Sequence, residues 1–275
     1  VTRQATKLAT KQERATKKES MTKADQATEE EEAKLEEKLL RPTELFCFSL
    51  IMPWGYEKSL MRWQYQKGSG IFSCDDYAVY SNQSLDLGNG LKNKLVHRSL
   101  QAPYGGQWNT LLNTPIFISL WKQVITDGQF WHSNWTAKVD ADAVMIVPRL
   151  RGLLRSPEHE HPQWGSGMFS DNCGYTRSMH GPIEVFSRQA LVVWKDQHWK
   201  CKDPPQEDVY MRTCMIKLGA KEMPDFNLLA EQSCFWDWWQ CKSNHVVFHP
   251  FKSLQDYSAC VDRSQHPTPE PQSGR

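Results

Sequence analysis

The chain has 275 residues, with 33 Lys or Arg and 32 Asp or Glu, so its formal net charge is +1. This length is enough for one large domain with a substantial core, or for two small domains. Nucleic-acid-binding proteins usually carry a basic face, which these nearly equal numbers of acids and bases do not favour. We therefore expect no nucleic-acid partner.

Residues 1–41 differ in composition from the rest, since Lys, Glu, Thr, Ala and Gln dominate and aromatic residues are absent. Such a segment cannot bury a core, so we expect a charged stem or linker that is helical or disordered. A globular domain over 42–258 and a disordered tail over 259–275 are expected to follow. The sequence contains no run of about 20 apolar residues. We expect membrane attachment only through an N-terminal anchor that is absent from this chain.

The globular part opens with an apolar run over 45–52, which predicts a strand that ends at Pro53-Trp54-Gly55. A helix is predicted over 57–67 and a second strand over 71–74, with a turn at 74–76. A strand, helix and strand within about 35 residues are typical of a βαβ unit. The pattern therefore predicts a parallel sheet.

A helix over 115–125 is predicted to lead into a strand over 135–147, which contains Asp140 and Asp142. Burying an unpaired carboxylate is costly, so two of them inside an apolar strand indicate a shared cation. Residues two apart on a strand point the same way, and oxygen ligands suit Mn²⁺ or Mg²⁺. The alternative is a strand end with two solvated aspartates. In open parallel sheets, ligands bind beyond the carboxyl ends of the strands.

Two later segments carry further candidate residues. Helices are predicted over 188–195 and from Glu207 to about residue 218. Glu207 and Asp208 stand at a helix start, where acids commonly cap free N–H groups, although an acid there can also act as a general base. A strand over 246–249 ends at His249, and a lone histidine is usually structural unless it lies beside a metal.

The eight cysteines contain no Cys-x-x-Cys spacing, which argues against a zinc ribbon. Their even number fits disulfides in a secretory compartment or unrelated buried thiols. Two glycosylation sequons, Asn82-Gln-Ser84 and Asn134-Trp-Thr136, favour the lumenal alternative. The twelve tryptophans can line sugar pockets, but most tryptophans simply fill a core.

Several separated segments occur in the order seen in a known enzyme family. The chain resembles an inverting glycosyltransferase with the A-type nucleotide-diphospho-sugar fold, and is most similar to the β-1,3-galactosyltransferase and fringe-like group. The segments that carry the resemblance are Trp63 to Cys74-Asp75-Asp76, Trp135-Thr-Ala-Lys-Val-Asp-Ala-Asp142, residues 174–191, Glu207-Asp208-Val209-Tyr210-Met211 and Phe248-His249-Pro250. Relatives commonly have three consecutive acids where this chain has Asp140-Ala141-Asp142.

The resemblance implies a Rossmann-like α/β fold with a mostly parallel central sheet flanked by helices, and makes 42–258 the catalytic domain. It implies a metal-dependent inverting transfer of a hexose from a UDP-sugar donor to a hydroxyl of a glycan or glycoprotein acceptor. The implied cofactor is Mn²⁺ (or Mg²⁺). The implied location is the Golgi or endoplasmic reticulum lumen, as a type II membrane protein.

The resemblance, together with the residue types, also assigns site residues. Asp208, with Glu207 second, is the expected base, and Asp140, Asp142 and His249 are the expected metal ligands. The residues expected to contact the donor are Asp75, Asp76, Lys138 and Asp140. The residues expected to contact the acceptor are Trp164, Glu184, Trp236 and Trp238.

Three other functions compete with this prediction. A retaining glycosyltransferase on the same fold would differ in product stereochemistry, and a catalytically silent sugar-nucleotide- or glycan-binding protein would bind without turnover. A hydrolase or phosphotransferase using the same acids is disfavoured because no phosphate-cradling glycine-rich loop accompanies them.

Overall fold

The structure is a computed structural model that describes residues 43–105, 109–174, 176, 178–202, 204, 206–235 and 237–265. The predicted stem, 1–41, lies outside the described residues, as does the last part of the predicted tail, 266–275. Within the described ranges, none of the helices combines the length and apolar character needed to cross a membrane.

In the residues that the structure describes, twelve strands form one large sheet and two small ones. In chain order they are β1 (Thr43–Leu50), β2 (Asp76–Ser81), β3 (Lys94–Leu95), β4 (Tyr104–Gly105), β5 (Thr110–Leu111), β6 (Ser133–Val139), β7 (Val144–Met145), β8 (Met168–Asp171), β9 (Ile183–Ser187), β10 (Lys221–Pro224), β11 (Leu229–Ala230) and β12 (Val247–Phe248). The seven-stranded sheet has the order β10-β8-β9-β6-β1-β2-β3. Four of its six neighbouring pairs are parallel, and only β9 runs antiparallel to its neighbours.

Six α-helices accompany the strands within the described part of the chain. They are α1 (Glu57–Lys67), α2 (Thr114–Asp127), α3 (Val147–Leu154), α4 (Arg188–Gln197), α5 (Glu207–Lys217) and α6 (Leu254–Gln265). On β1, Phe46 and Phe48 pack into a core with α2, α4 and α5, whereas Leu45 and Cys47 pack on the other side with α1 and α3. A strand buried on both faces explains why residues 45–52 are apolar apart from Ser49. The predicted fold class, α/β with a mostly parallel sheet flanked by helices, is confirmed.

The predicted βαβ unit is present as β1, α1 and β2, with Phe46 opposite Asp76 in a parallel register. The prediction of a strand over 71–74 was wrong, because Gly70–Ser73 form a turn of 3₁₀ helix. Gly70 has φ of +58°, a left-handed conformation that glycine adopts without strain. The strand therefore begins at Asp76, which places the acids at its amino end.

The predicted strand over 135–147 is interrupted at the two aspartates. Strand β6 ends at Val139, and Asp140 opens a turn in which Ala143 N–H donates to Asp140 C=O at 3.1 Å. The amide of Gln64 donates to Ala141 C=O at 2.9 Å. The aspartates thus project from a turn whose backbone is hydrogen-bonded on both sides, and not from a regular strand.

The described structure pairs all eight cysteines in disulfides, which confirms the disulfide alternative. The pairs are Cys47–Cys74, Cys173–Cys234, Cys201–Cys214 and Cys241–Cys260. The last pair ties α6 to the preceding loop, and Tyr257 of α6 donates to Ala143 C=O at 3.2 Å. Helix α6 continues through the predicted domain end at residue 258, so residues 259–265 are helical and belong with the domain. The predicted tail therefore started too early.

Candidate functional site

A cavity of about 230 Å³ opens where the chain leaves the carboxyl ends of β1 and β6. Residues Met52, Asn113, Asp140, Asp142 and His249 are among those that line it. This is the edge at which ligands bind in open parallel sheets.

Asp140, Asp142 and His249 lie together at this cavity, each with a ligand atom within 4.8 Å of the others. Two carboxylates and one imidazole suit Mn²⁺ or Mg²⁺ better than a soft metal, so this set fits the expected cation. Cys173, His180 and Cys234 also cluster, but the two cysteines form a disulfide and offer no thiolate. Within the described part of the chain, the Asp140–Asp142–His249 group is therefore the candidate metal site.

The small sheet β11-β12-β7 explains how distant residues meet there. Strand β12 is antiparallel to β7 and pairs Phe248 with Val144, which brings His249 beside the aspartate turn. The backbone N–H of Phe251 donates to Asp142 C=O at 2.9 Å, which joins the segment after His249 to the aspartate turn. His249 Nε2 lies 3.4 Å from Asp142 Oδ1.

Glu231 orients His249, and no sequence motif indicated it. Strand β11 pairs Ala230 with Phe248 in parallel, so Glu231 and His249 emerge side by side. The Nδ1–H of His249 donates to Glu231 Oε2 at 3.0 Å, which leaves Nε2 directed at Asp142. Burial alone would raise the pKa of Glu231, but hydrogen bonds from His180 and His249 lower it to about 2. A carboxylate that fixes the tautomer and orientation of a histidine is the usual support of a metal ligand.

We expect Glu231→Gln to weaken Mn²⁺ binding by about 10–100-fold, because His249 would lose its orienting carboxylate. Manganese titration followed by electron paramagnetic resonance measures this directly. Glu222→Gln is the matched control, since Glu222 pairs with Arg212 at 2.6 Å on β10. Equal Mn²⁺ affinity in the two variants would refute a role for Glu231 in holding the ligand.

In the candidate metal site, the two carboxylates of Asp140 and Asp142 outnumber the single basic group, His249. Burial raises the pKa of Asp140, and the charges of Asp142 and Glu207 add to this despite Lys138 at 2.9 Å. Burial would lower the pKa of His249, but hydrogen bonds to Asp142 and Glu231 raise it to about 9. A cation bound here would relieve the repulsion and compete with protons for His249.

Tyr56 and Glu57 at the start of α1 also reach this cavity, and the sequence analysis missed both. Tyr56 donates to Asp142 Oδ2 at 2.9 Å. Glu57 accepts from Met52 N–H at 2.7 Å, and burial is the main cause that raises its pKa to about 7. An acid in the first turn of a helix has an ordinary explanation, which concealed its place beside the site.

Lys138 joins the metal cluster to the start of α5. Its buried ammonium lies 2.9 Å from Asp140, 2.8 Å from Glu207 and 3.4 Å from Glu184. It also donates to Gly181 C=O at 2.6 Å. These contacts give Lys138 a structural role, and its expected contact with the donor stays a prediction.

Glu184 is buried opposite Lys138 in the β6–β9 pairing, so it has no exposed surface for an acceptor. Burial raises its pKa well above the ordinary value, and the charge of Glu207 adds to the effect. Glu184 therefore belongs to the buried group around Lys138, whose ammonium lies 3.4 Å from its carboxyl. The expected acceptor contact is not supported by this position.

Glu207 and Asp208 begin α5 but differ in their surroundings. Glu207 is held by Lys138 and by the Asn113 amide, which donates to Glu207 Oε2 at 3.3 Å. Asp208 accepts from Val209 N–H at 2.7 Å. Burial raises the pKa of Asp208 to about 6, and the charge of Glu207 contributes. Asn113 lines the cavity and is hydrogen-bonded to Glu207, so the start of α5 lies against the cavity wall. Glu207 therefore holds the helix start in position.

Asp75, Asp76 and Trp164 lie at the opposite edge of the sheet. Arg151 donates two hydrogen bonds to the carboxylate of Asp75, at 2.8 and 3.0 Å, and Gln129 donates to both carboxylate oxygens of Asp76 at 3.0 Å.

The loop that carries Trp164 is anchored at the beginning of β6, where the side chain of Gln163 donates to Asn134 C=O. At about 3.3 Å per strand residue, that point is about 20 Å from Asp140. The structure does not bring these three residues to the candidate site.

Trp238 does lie near the cluster, half-buried and with its ring centroid 5.6 Å from that of Phe251. Trp236, the other expected tryptophan, falls outside the described residues.

Comparisons with known proteins give no family assignment. Searches found no matching protein-family model and no matching curated protein. One similar solved structure is a glycosyltransferase involved in the glycosylation of the major capsid of PBCV-1, at 10% identity and a TM-score of 0.38, covering 68% of this chain and 84% of that one. Another is an active-site mutant of LgtC, at 8% identity and a TM-score of 0.40, covering 82% and 98%. Likeness at this level carries no argument for the site or its chemistry.

Proposed function

We propose that this protein is a metal-dependent inverting glycosyltransferase that moves a hexose from a UDP-sugar to a hydroxyl of a glycan or glycoprotein. One observation carries the proposal: Asp140, Asp142 and His249 converge at a cavity whose wall connects through Asn113 to the acidic start of α5. The order of motifs in the sequence supports the same reaction.

Asp140, Asp142 and His249 would hold Mn²⁺ (or Mg²⁺), which supplies Lewis-acid stabilisation for a diphosphate leaving group. Tyr56 fixes one oxygen of Asp142, and Glu231 fixes the ring of His249. These supports hold Asp142 and His249 in place before any substrate arrives, which lowers the cost of reorganisation.

Asp208 is the proposed base. It accepts the proton of the acceptor hydroxyl while that oxygen attacks the anomeric carbon opposite the diphosphate. A pKa of about 6 suits this task, since the group is ionised at neutral pH but more basic than an ordinary aspartate. Glu207 and Lys138 hold the start of α5 in place.

This assignment predicts a pH dependence. Asp208 must be unprotonated to accept a proton, so kcat/KM should fall about tenfold per pH unit below about pH 6 and level off above it. The profile is measured at saturating Mn²⁺, with Mn²⁺ binding determined at each pH because His249 also binds protons. A constant kcat/KM below about pH 6, with metal still bound, would contradict the role of Asp208.

We also propose a Golgi or endoplasmic reticulum location. Four disulfides are typical of proteins that mature in an oxidising compartment. The sequons at Asn82 and Asn134 are consistent with the same compartment.

The proposed reaction is tested with a panel of UDP-hexoses, Mn²⁺ and mixed glycan acceptors. Released UDP and the proton NMR coupling of the new anomeric centre are followed together. Transfer with inverted configuration is the expected result. Retained configuration would select the retaining alternative, and nucleotide binding without transfer to any acceptor would select the silent binding protein.

A further inference from the structure

A second groove of about 560 Å³ lies beside the metal cavity. Its aromatic wall is Trp238 and Trp239, and Trp239 is 56% exposed. An exposed indole face in a concave site is suited to stacking against a sugar ring. The short helix that carries these rings, Trp238–Gln240, ends at Cys241, which is disulfide-bonded to Cys260 of α6. The aromatic wall is therefore attached to a fixed part of the fold.

The groove adjoins the metal cavity, since the two share lining residues. Pro250 and Lys252 line both, and Pro250 directly follows the candidate ligand His249. A molecule lying in the groove could thus extend one end towards the metal cluster. This is the position required of an acceptor whose reacting hydroxyl must reach the donor.

The charged side chains of the groove are mostly basic. Lys242, Lys252 and Arg263 line it, against one acid, Asp256. Arg263 also donates to Gln240 C=O at 3.0 Å, so it supports the aromatic wall as well as adding charge. Lys242 and Lys252 are exposed, which leaves their ammonium groups accessible to a ligand. Fixed aromatic faces with surplus positive charge match a sugar that bears an anion.

We propose that this groove binds an anionic sugar, carrying a carboxylate or a sulfate, as part of the acceptor. Trp239 stacks on the ring, and Lys242 and Lys252 contact the anion. The acceptor role rests on the proposed function, whereas binding of an anionic glycan by the groove does not. The proposal names a substrate class that the motifs of the sequence leave open.

Calorimetry of the full chain with a chondroitin sulfate tetrasaccharide, without nucleotide or metal, tests the groove. Cellotetraose is the neutral probe of the same length. Trp239→Ala and Lys242→Glu are the test variants. Trp199→Ala and Lys200→Glu are matched controls, because Lys200 lies 5.4 Å from the ring centroid of the 74% exposed Trp199 on another surface.

We expect the sulfated probe to bind, and each test variant to weaken it at least tenfold while the controls leave it unchanged. Cellotetraose should bind at least tenfold more weakly than the sulfated probe. Equal binding of the two probes would overturn the preference for an anion. Equal loss in test and control variants, or no binding of the sulfated probe, would overturn the groove as the site.

Titration of the same samples with UDP and Mn²⁺ separates this inference from the proposed function. If the sulfated probe binds in the groove but UDP does not bind, the groove stands and the proposed donor chemistry fails. If UDP binds and the sulfated probe does not, the acceptor class is wrong and the donor site stands. Intact UDP binding in Trp239→Ala and Lys242→Glu also shows that these variants are folded.

Discussion

Asp142→Ala is expected to abolish Mn²⁺-dependent nucleotide binding. Asp142 contacts His249 Nε2 at 3.4 Å and receives the Tyr56 hydroxyl at 2.9 Å, so it is the central member of the metal cluster. Burial would raise the pKa of its carboxyl, but hydrogen bonds from His249 and Tyr56 lower it, which keeps the ligand ionised. Losing a direct ligand should cost more than the 10–100-fold typical of an outer-shell partner, so we expect at least about 100-fold weaker Mn²⁺ binding.

Electron paramagnetic resonance of free Mn²⁺, with and without UDP, measures this loss. Asp196→Ala is the control, since Asp196 is an exposed acid paired with its neighbour Lys195 at 2.7 Å. Unchanged thermal stability of both variants would show that the fold is intact. If Asp142→Ala bound Mn²⁺ as the control does, the assigned metal site would be wrong.

Asp208→Asn is expected to keep donor binding and to lose transfer by about 10²–10⁴-fold, the usual contribution of a general base. The amide has nearly the shape of the carboxylate, so the Val209 N–H that donates to Asp208 at 2.7 Å keeps an oxygen acceptor. The Asp140–Lys138–Glu207 contacts do not involve Asp208, and the metal cluster should therefore remain. The measurements are kcat with saturating UDP-sugar and, on the same sample, the dissociation constant of UDP with Mn²⁺.

Asp196→Asn provides the same chemical change on the surface and should leave both quantities unaltered. Full turnover by Asp208→Asn would remove Asp208 as the base. A parallel loss of donor binding would show instead that the start of α5 holds the donor.

Elements could be predicted from the sequence where the residues that define them lie close together in the chain. Helix α1 was predicted at its observed bounds, because its apolar residues and its glycine end lie within 12 residues. Asp140 and Asp142 stood out because buried acids are costly in an apolar run. His249 could be joined to them only through the family resemblance, since more than 100 residues intervene.

Glu231 could not be predicted in the same way. It reaches His249 through β11, β12 and β7, which are each two residues long and too short to show periodicity. Their pairing depends on the folded core rather than on local preference, which is the general weakness of strand prediction.

The position of Asp75 and Asp76 away from the candidate site has a local cause. Residues 71–74 are too few to distinguish a strand from a turn of 3₁₀ helix by pattern. A strand over 71–74 would have placed the two acids after its carboxyl end, where ligands bind in parallel sheets. The observed strand starts at Asp76, which moves both acids to the other edge of the sheet.

The proposed metal-dependent donor site is tested most directly by calorimetric titration of the full chain with a panel of nucleoside diphosphates, with and without Mn²⁺. We expect UDP to bind only when Mn²⁺ is present, and Asp142→Ala to remove this binding. A folded protein that bound none of the nucleotides, or bound them equally without metal, would contradict a metal-dependent sugar-nucleotide site.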